Sequence, residues 1–167
     1  DVTDCAEIPG AKLTVFDEQE HVVDTWTSGE KPHSIRGLEP GHAYILREET
    51  APFGYVVAED VTFTVENTGE VQPVHMFDKH AMGQLRIEKR DKKTDQLLAG
   101  AHFELRDEDG SVLEELVTDK NGEAVSSVLE IATFANGRAG KEKTYILVET
   151  KAPAGYQKDD QEYKVRF

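Results

Sequence analysis

Short stretches in which apolar and polar residues alternate dominate the chain. Three clear examples, at residues 12–16, 61–65 and 163–167, place an apolar side chain at every second position. A period of two is typical of a strand with one buried face. No stretch has the spacing of a convincing amphipathic helix, although residues 127–134 fit either a strand or a short helical turn. The pattern therefore predicts an all-β protein.

Turn signals separate these stretches. Ser28-Gly29, Asp109-Gly110 and Asn121-Gly122 are pairs that favour tight reversals of the chain. Short strands that recur at intervals of about eight to twelve residues are typical of a β-sandwich or barrel. The predicted fold class is consequently a β-sandwich built from many short strands.

The chain contains an internal repeat. Residues 44–55 return as residues 145–156 with eight of twelve positions identical at an offset of 101, and residues 10–18 match 100–108 at an offset of 90. The change of offset places an eleven-residue insertion in the second copy, between Thr118 and Tyr145. We therefore expect two tandem domains, at 1–80 and 84–167. The short polar stretch 79–83 is predicted to join them as a linker that is too short for free tumbling, which favours a semi-rigid rod.

Charge and cysteine content narrow the function. The chain has 33 acidic and 19 basic residues and a net charge of −14, which argues against nucleic acid or an anionic membrane as a partner. No apolar run approaches the length of a membrane span, and the first residues do not resemble a signal peptide. We expect an internal or mature fragment whose anchor lies elsewhere. Cys5 is the single cysteine, so no internal disulfide is possible, and another kind of cross-link is expected to stabilise such small cores.

Two motifs carry a resemblance to a known family. Residues 87–91, followed by 98–101 and 103–105, form the opening motif of the second copy, and residues 145–156 form its closing motif, the E-box. Together they resemble the collagen-adhesin B-type (Cna B, or SpaA-like) domains of Gram-positive surface adhesins and pilins. The resemblance implies two tandem transthyretin-like, immunoglobulin-like β-sandwiches. It also implies a self-catalysed amide bond between a first-strand lysine and a last-strand asparagine or aspartate, assisted by the E-box glutamate.

The resemblance assigns roles to four residues. Lys89 is the expected nucleophile of the second copy and Glu149 its acid/base partner, while Glu48 is the matching glutamate of the first copy and Asp78 its candidate acceptor. Glu49, next to Glu48, is expected to point outward because neighbouring strand residues face opposite sides.

The missing members of each set are expected outside the given sequence. An offset of 90 puts the lysine of the first copy two residues before Asp1, and an offset of 100 puts the acceptor of the second copy eleven residues beyond Phe167. The first domain is accordingly expected to lack its first strand and the second its last strand. Each would then present an open groove that invites strand addition.

The implied chemistry explains why these residue types are needed. A lysine amine attacks a carboxyl group or a carboxamide only when it is neutral, and a glutamate can polarise the target only when it is protonated. An apolar interior favours both neutral forms. Packing also holds the reacting groups together, which lowers the activation barrier by roughly 7–11 kcal/mol in favourable cases. The reaction would occur once per molecule, so an enzyme with turnover is not expected.

Two functions remain open at this point. The first is a structural stalk or spacer of a cell-surface protein, wall-anchored through other segments, whose partners are domains or subunits of the same protein. The alternative is a module that binds host extracellular matrix protein or glycan, with the insertion at 119–144 as its surface. No cofactor or metal is expected: residues 107–111 lack the later ligands of a calcium loop, and the six histidines are scattered.

Overall fold

The computed structural model describes residues 7–167, which form only strands, turns and irregular segments. Within this range no helix occurs, and hence none that could span a membrane. Cys5 lies outside the described residues. The chain divides into two units: unit 1 comprises Asp1–Ala81 and Phe134–Gly140, and unit 2 comprises Met82–Thr133 and Lys141–Phe167.

Unit 1 is built around a four-stranded antiparallel sheet in the order β2-β1-β3-β5, with a two-stranded sheet formed by β4 and β6. Its strands are β1 (Lys12–Phe16), β2 (Val22–Thr27), β3 (Ala43–Thr50), β4 (Tyr55–Val56), β5 (Val61–Thr64) and β6 (Lys79–His80). The alternation along β3 directs Tyr44, Leu46 and Glu48 into the interior. Tyr44 and Leu46 form a core with Val15, against which Trp26 and several other half-buried side chains pack.

Unit 2 has the equivalent four-stranded sheet in the order β10-β9-β15-β16, and the two-stranded sheets β11-β8, β12-β7 and β13-β14. Its strands are β7 (Met82–Gly83), β8 (Arg86–Glu88), β9 (His102–Asp107), β10 (Val112–Val117), β11 (Glu123–Val125), β12 (Leu129–Glu130), β13 (Ala132–Ala135), β14 (Arg138–Glu142), β15 (Tyr145–Lys151) and β16 (Glu162–Val165). The tip of the β13–β14 hairpin is counted with unit 1.

The core of unit 2 lies between its main sheet and the β8–β11 pair. Leu105 from β9 and Tyr145 from β15 are almost completely buried, and Ile87 from β8 packs into the same cluster. Burial of each such side chain stabilises the fold by roughly 1.5–3 kcal/mol. The buried positions of β15 alternate as Tyr145, Leu147 and Glu149, so the glutamate continues an otherwise apolar row.

The structure differs from the sequence-based expectation at two places. Residues 127–134 contribute to strands β12 and β13, so the alternative of a helical turn is wrong. The stretch 79–83 does not form a plain linker, because Lys79–His80 pairs with Tyr55–Val56 and Met82–Gly83 pairs with Leu129–Glu130. Strands of two residues are too short to show a periodic pattern in the sequence.

Candidate functional site

In unit 2 the structure brings Lys89 and Glu149 together. Lys89 directly follows β8 and donates its backbone N–H to the Gly122 carbonyl, which fixes its position beside the core. Its Nζ donates to Oε2 of Glu149 at 2.9 Å. The Glu149 side chain is fully buried and that of Lys89 is 20% exposed. An ammonium–carboxylate pair in such surroundings needs a single proton shift along one hydrogen bond to become an amine and a carboxylic acid, both neutral.

The two oxygens of Glu149 are used differently. Oε2 also accepts the backbone N–H of Asp159 at 2.7 Å, whereas Oε1 is buried and has no hydrogen-bond partner in the part of the chain that the structure describes. A buried carboxylate oxygen without a partner is unfavourable, because it has lost water and gained nothing in return. Oε1 is therefore the atom to which a further hydrogen-bonding group could be added with a gain in free energy.

Unit 1 holds its glutamate in the same way. Glu48 is buried, its Oε2 accepts the backbone N–H of Ala58 at 2.7 Å, and its Oε1 has no hydrogen-bond partner among residues 7–167. Ala58 and Asp159 are separated by 101 residues, the offset of the E-box itself. The sequence analysis did not single out these two amides, although extending the repeat alignment by three residues would have found them.

A β-bulge follows the glutamate in both units. Leu13 pairs with Glu48 while Lys12 pairs with Thr50, so Glu49 is the extra residue. In unit 2 the corresponding register shift lies between Glu149 and Lys151. Bulges redirect side chains and often lie next to functional sites. Here the bulge ends the alternation after the buried glutamate, and Glu49 is exposed.

Asp78 lies with Glu48 at a cavity of about 450 Å³ in unit 1. Burial, and secondarily the negative charge of Glu48, raise the pKa of Asp78 to about 6. Residues 71–78 form no assigned strand, and His75 and Phe77 within them are exposed. Glu48 and Asp78 therefore line the same cavity of unit 1. In unit 2, the Lys89–Glu149 pair occupies the equivalent position.

The structure thus assembles two partial sets. It brings Lys89 to Glu149 and Glu48 to Asp78, and within residues 7–167 it places no lysine amine on Glu48. The catalytic roles of these residues stay predictions. Among the described residues, no three histidine, cysteine, aspartate or glutamate side chains cluster in a way that could hold a metal ion.

Comparison with known proteins gives the family and the fold. The model of a family described as the SpaA prealbumin-like fold domain matches residues 1–80 and again residues 83–167. The comparison with curated proteins gives no match. Among solved structures, the Bacillus anthracis TIE protein is similar at 28% identity and a TM-score of 0.61, over 99% of this chain and 30% of that one. The chain thus spans less than a third of that protein.

Two pilin structures are also similar at lower scores. The shaft pilin SpaA from Lactobacillus rhamnosus GG has 18% identity and a TM-score of 0.39, over 95% of this chain and 84% of that one. The 35 kDa C-terminal fragment of the major pilin GBS80 of Streptococcus agalactiae has 22% identity and a TM-score of 0.46, over 74% of this chain and 44% of that one.

Proposed function

Because the chain belongs to the SpaA family of prealbumin-like domains, we propose that it is a structural segment, a stalk or spacer, of a Gram-positive surface protein. It carries two tandem β-sandwiches of this family. Each is proposed to be closed in the longer parent by one intramolecular amide bond, and anchoring to the wall to depend on other segments. Its partners would be the other domains or subunits of the same surface protein.

One observation carries the proposal. Both units bury a glutamate at the end of an otherwise apolar row and fix one of its oxygens with the equivalent backbone N–H, and the other oxygen has no partner among the described residues. Carboxylates are rarely buried completely unless they are paired, because burial removes them from water. In unit 2 a lysine amine already contacts the fixed oxygen at 2.9 Å. A third group, the acceptor, would complete the set at the free oxygen.

The proposed reaction follows from this arrangement. Proton transfer from Lys89 Nζ to Glu149 leaves a neutral amine and a carboxylic acid. The acid donates a hydrogen bond to the acceptor carbonyl, and the amine attacks the carbonyl carbon. The C–N bond forms as the C–O or C–N bond of the acceptor breaks, and water leaves from an aspartate or ammonia from an asparagine. Glu149 passes this proton to the leaving group and takes up the second proton that the nitrogen loses as the amide forms, so that water or ammonia leaves as a neutral molecule.

In unit 1 the electrostatics favour Asp78 as the acceptor. Amine attack is easier on a neutral carboxylic acid than on a carboxylate, and the raised pKa of Asp78 increases its protonated fraction near neutral pH. Glu48, which contributes to that shift, lines the same cavity. The attacking lysine would come from a strand that precedes the described residues, as the repeat alignment predicts.

Intact mass spectrometry of a chain extended at both ends tests the proposal. We expect each domain to lose one water or one ammonia. Glu48→Gln should abolish the loss in the first domain only, and Glu149→Gln should abolish it in the second only. The matched control is Glu49→Gln, which alters an exposed neighbour of Glu48 and should change nothing. An extended chain with unreduced mass would contradict the proposal.

The alternative of host-ligand binding through residues 119–144 would predict that the isolated chain binds matrix protein or glycan. Removal of residues 133–141 should then abolish that binding. The stalk function predicts no such binding.

A further inference from the structure

The tip of the β13–β14 hairpin is an integral part of unit 1. The tip segment, Phe134–Gly140, falls within the stretch where the second repeat is longer than the first. Phe134 stacks on His80 with ring centroids 3.5 Å apart and planes 4° from parallel. Tyr55 meets the Phe134 ring edge-on at 5.5 Å and donates its hydroxyl to the Gly137 carbonyl at 2.8 Å.

Charge adds a second attachment. Arg138 Nη1 donates to Glu30 Oε1 at 2.9 Å, Nη2 pairs with the other oxygen, and Nη2 also reaches the Glu7 carbonyl at 3.3 Å. Two parallel N–H···O bonds give a guanidinium–carboxylate pair a defined geometry. The attachment therefore combines an aromatic stack with a directional ion pair. Tyr55 is the last residue of the repeated motif 44–55, whereas Phe134, Arg138 and Glu30 lie outside the repeated motifs.

The docked tip reaches the candidate site. Asn136 and Gly137 form the reversal of the hairpin with positive φ angles of 52° and 71°. Both residues line the same cavity of about 450 Å³ as Glu48 and Asp78. The tip thus supplies part of the wall of the cavity that Glu48 and Asp78 line.

We propose that the tip segment is a docked cover of the unit 1 site, and that its docking controls how freely water and amines reach Asp78 and Glu48. The purpose of the cover rests on the proposed function: exclusion of water would favour the neutral groups that amide formation needs. The docking itself does not depend on it. The insertion would then serve unit 1 rather than a host ligand.

The test uses the intact chain and two measurements. Hydrogen exchange reports docking through the amides of the β4–β6 pair, where Ala81 N–H donates to the Gly54 carbonyl. Carbodiimide coupling of glycine ethyl ester, a small primary amine, reports access to Asp78, with the exposed Asp160 as internal reference. Arg138→Glu removes the ion pair, and Phe134→Ala removes the stack. The control is Lys141→Glu, the same charge change on the same hairpin at an exposed residue whose side chain pairs with the exposed Glu108.

We expect Arg138→Glu to accelerate exchange at the β4–β6 pair and labelling of Asp78 by about two- to fivefold, and Phe134→Ala by roughly tenfold. Lys141→Glu should show the same exchange rate and the same labelling rate as the unmodified chain. The charge swap Arg138→Glu with Glu30→Arg should restore slow exchange and labelling, which separates undocking from a general loss of folding.

Unchanged exchange in both variants would overturn the docking, and faster exchange with unchanged labelling of Asp78 would overturn the cover. Failure of the proposed function is a separate result. The extended chain would then keep its full mass even though the cover behaves as expected.

Discussion

At the residue scale, the two buried glutamates are the feature that packing alone does not explain. An apolar residue at Glu48 or Glu149 would continue the buried row of β3 or β15 without desolvating a carboxylate. Replacing a buried ion pair by apolar residues of similar volume is often neutral or stabilising, whereas removing one partner is strongly unfavourable. The glutamates are therefore better explained by chemistry than by stability, and two predictions follow from their surroundings.

The first prediction concerns the Lys89–Glu149 pair. Glu149→Ala in the chain described here should lower the free energy of unfolding of unit 2 by about 2–4 kcal/mol, because Lys89 loses its partner and a small cavity forms. Lys89 is 20% exposed and can turn towards water, which limits the loss. The apolar pair Lys89→Met with Glu149→Leu should recover most of the stability in urea unfolding. A double variant as unstable as Glu149→Ala would contradict this explanation.

The second prediction is a pH dependence that originates at Asp78. Its pKa rises from 3.8 to about 6 on folding, so this group favours the folded state fully below pH 3.8 and loses that contribution as the pH rises through 6. Two pKa units correspond to at most about 3 kcal/mol, and partial solvent exposure reduces this to roughly 1–2 kcal/mol. Asp78→Asn should therefore stabilise unit 1 at pH 7 and flatten the change between pH 4 and pH 6.

Thermal melting at a series of pH values measures this effect. The control is Glu59→Gln, which neutralises an exposed carboxylate of the same unit and should leave the stability change between pH 4 and pH 6 as it is in the unmodified chain. If Asp78→Asn were less stable than the unmodified chain at pH 7, the carboxylate would be making a favourable contact and the direction of its pKa shift would be wrong.

At the element scale, the same short elements in both units position the site. In each, the strand that carries the glutamate lies next to the strand formed by the 10–18 or 100–108 motif, and a bulge follows the glutamate. In unit 2 the turn at Asp119–Gly122 adds a further constraint, because the Gly122 carbonyl accepts the backbone N–H of Lys89. This turn therefore supports both the fold and the position of the candidate nucleophile.

Gly122 gives an element-scale prediction. Its φ is +72°, and a Cβ there would lie 2.7 Å from the Leu98 backbone nitrogen. Gly122→Ala should therefore destabilise unit 2 by about 2–4 kcal/mol, from backbone strain and a contact that cannot relax easily. Gly110→Ala is the matched control, since its φ is +86° but no neighbouring atom of residues 7–167 would lie within 4 Å of a Cβ there, and a loss of only about 1 kcal/mol is expected. Equal losses in urea unfolding would show that the contact at Gly122 is relieved.

Much of this architecture could be predicted from the sequence. Alternation gives Lys12–Phe16 as a strand with its observed bounds, and the all-β fold is confirmed by the structure and the family match. The repeat also places Glu48 and Glu149 at equivalent positions. Local patterns could not give the short pairs of residues 79–83, whose strands have too few residues for a period. Nor could they give the docking of Phe134–Gly140, which depends on contacts between residues far apart in sequence.

At the scale of the whole molecule, two small cores share a chain with a net charge of −14. Unit 1 buries few apolar side chains completely, and unit 2 has the larger cluster. Domains of about 80 residues bury a modest fraction of their surface, so a covalent closure would add a large part of their total stability. The single cysteine leaves no internal disulfide for this purpose.

The last prediction therefore concerns a chain extended at both ends. A bond from Lys89 to an acceptor on the last strand would connect the two ends of the second domain, so that tension passes through covalent bonds and the strands between them stay unloaded. It would also lower the conformational entropy of the unfolded chain, which raises the free energy of unfolding by about 4–5 kcal/mol for a loop of this size. Glu149→Ala should abolish bond formation there, lower the melting temperature of the second domain and expose it to trypsin, while the first domain keeps its bond. Lys151→Ala, at an exposed position of the same strand, should leave mass, melting and digestion unchanged apart from the lost cleavage site. If Glu149→Ala behaved like this control, the second domain would not depend on the bond, and its E-box would serve only to shape the chain.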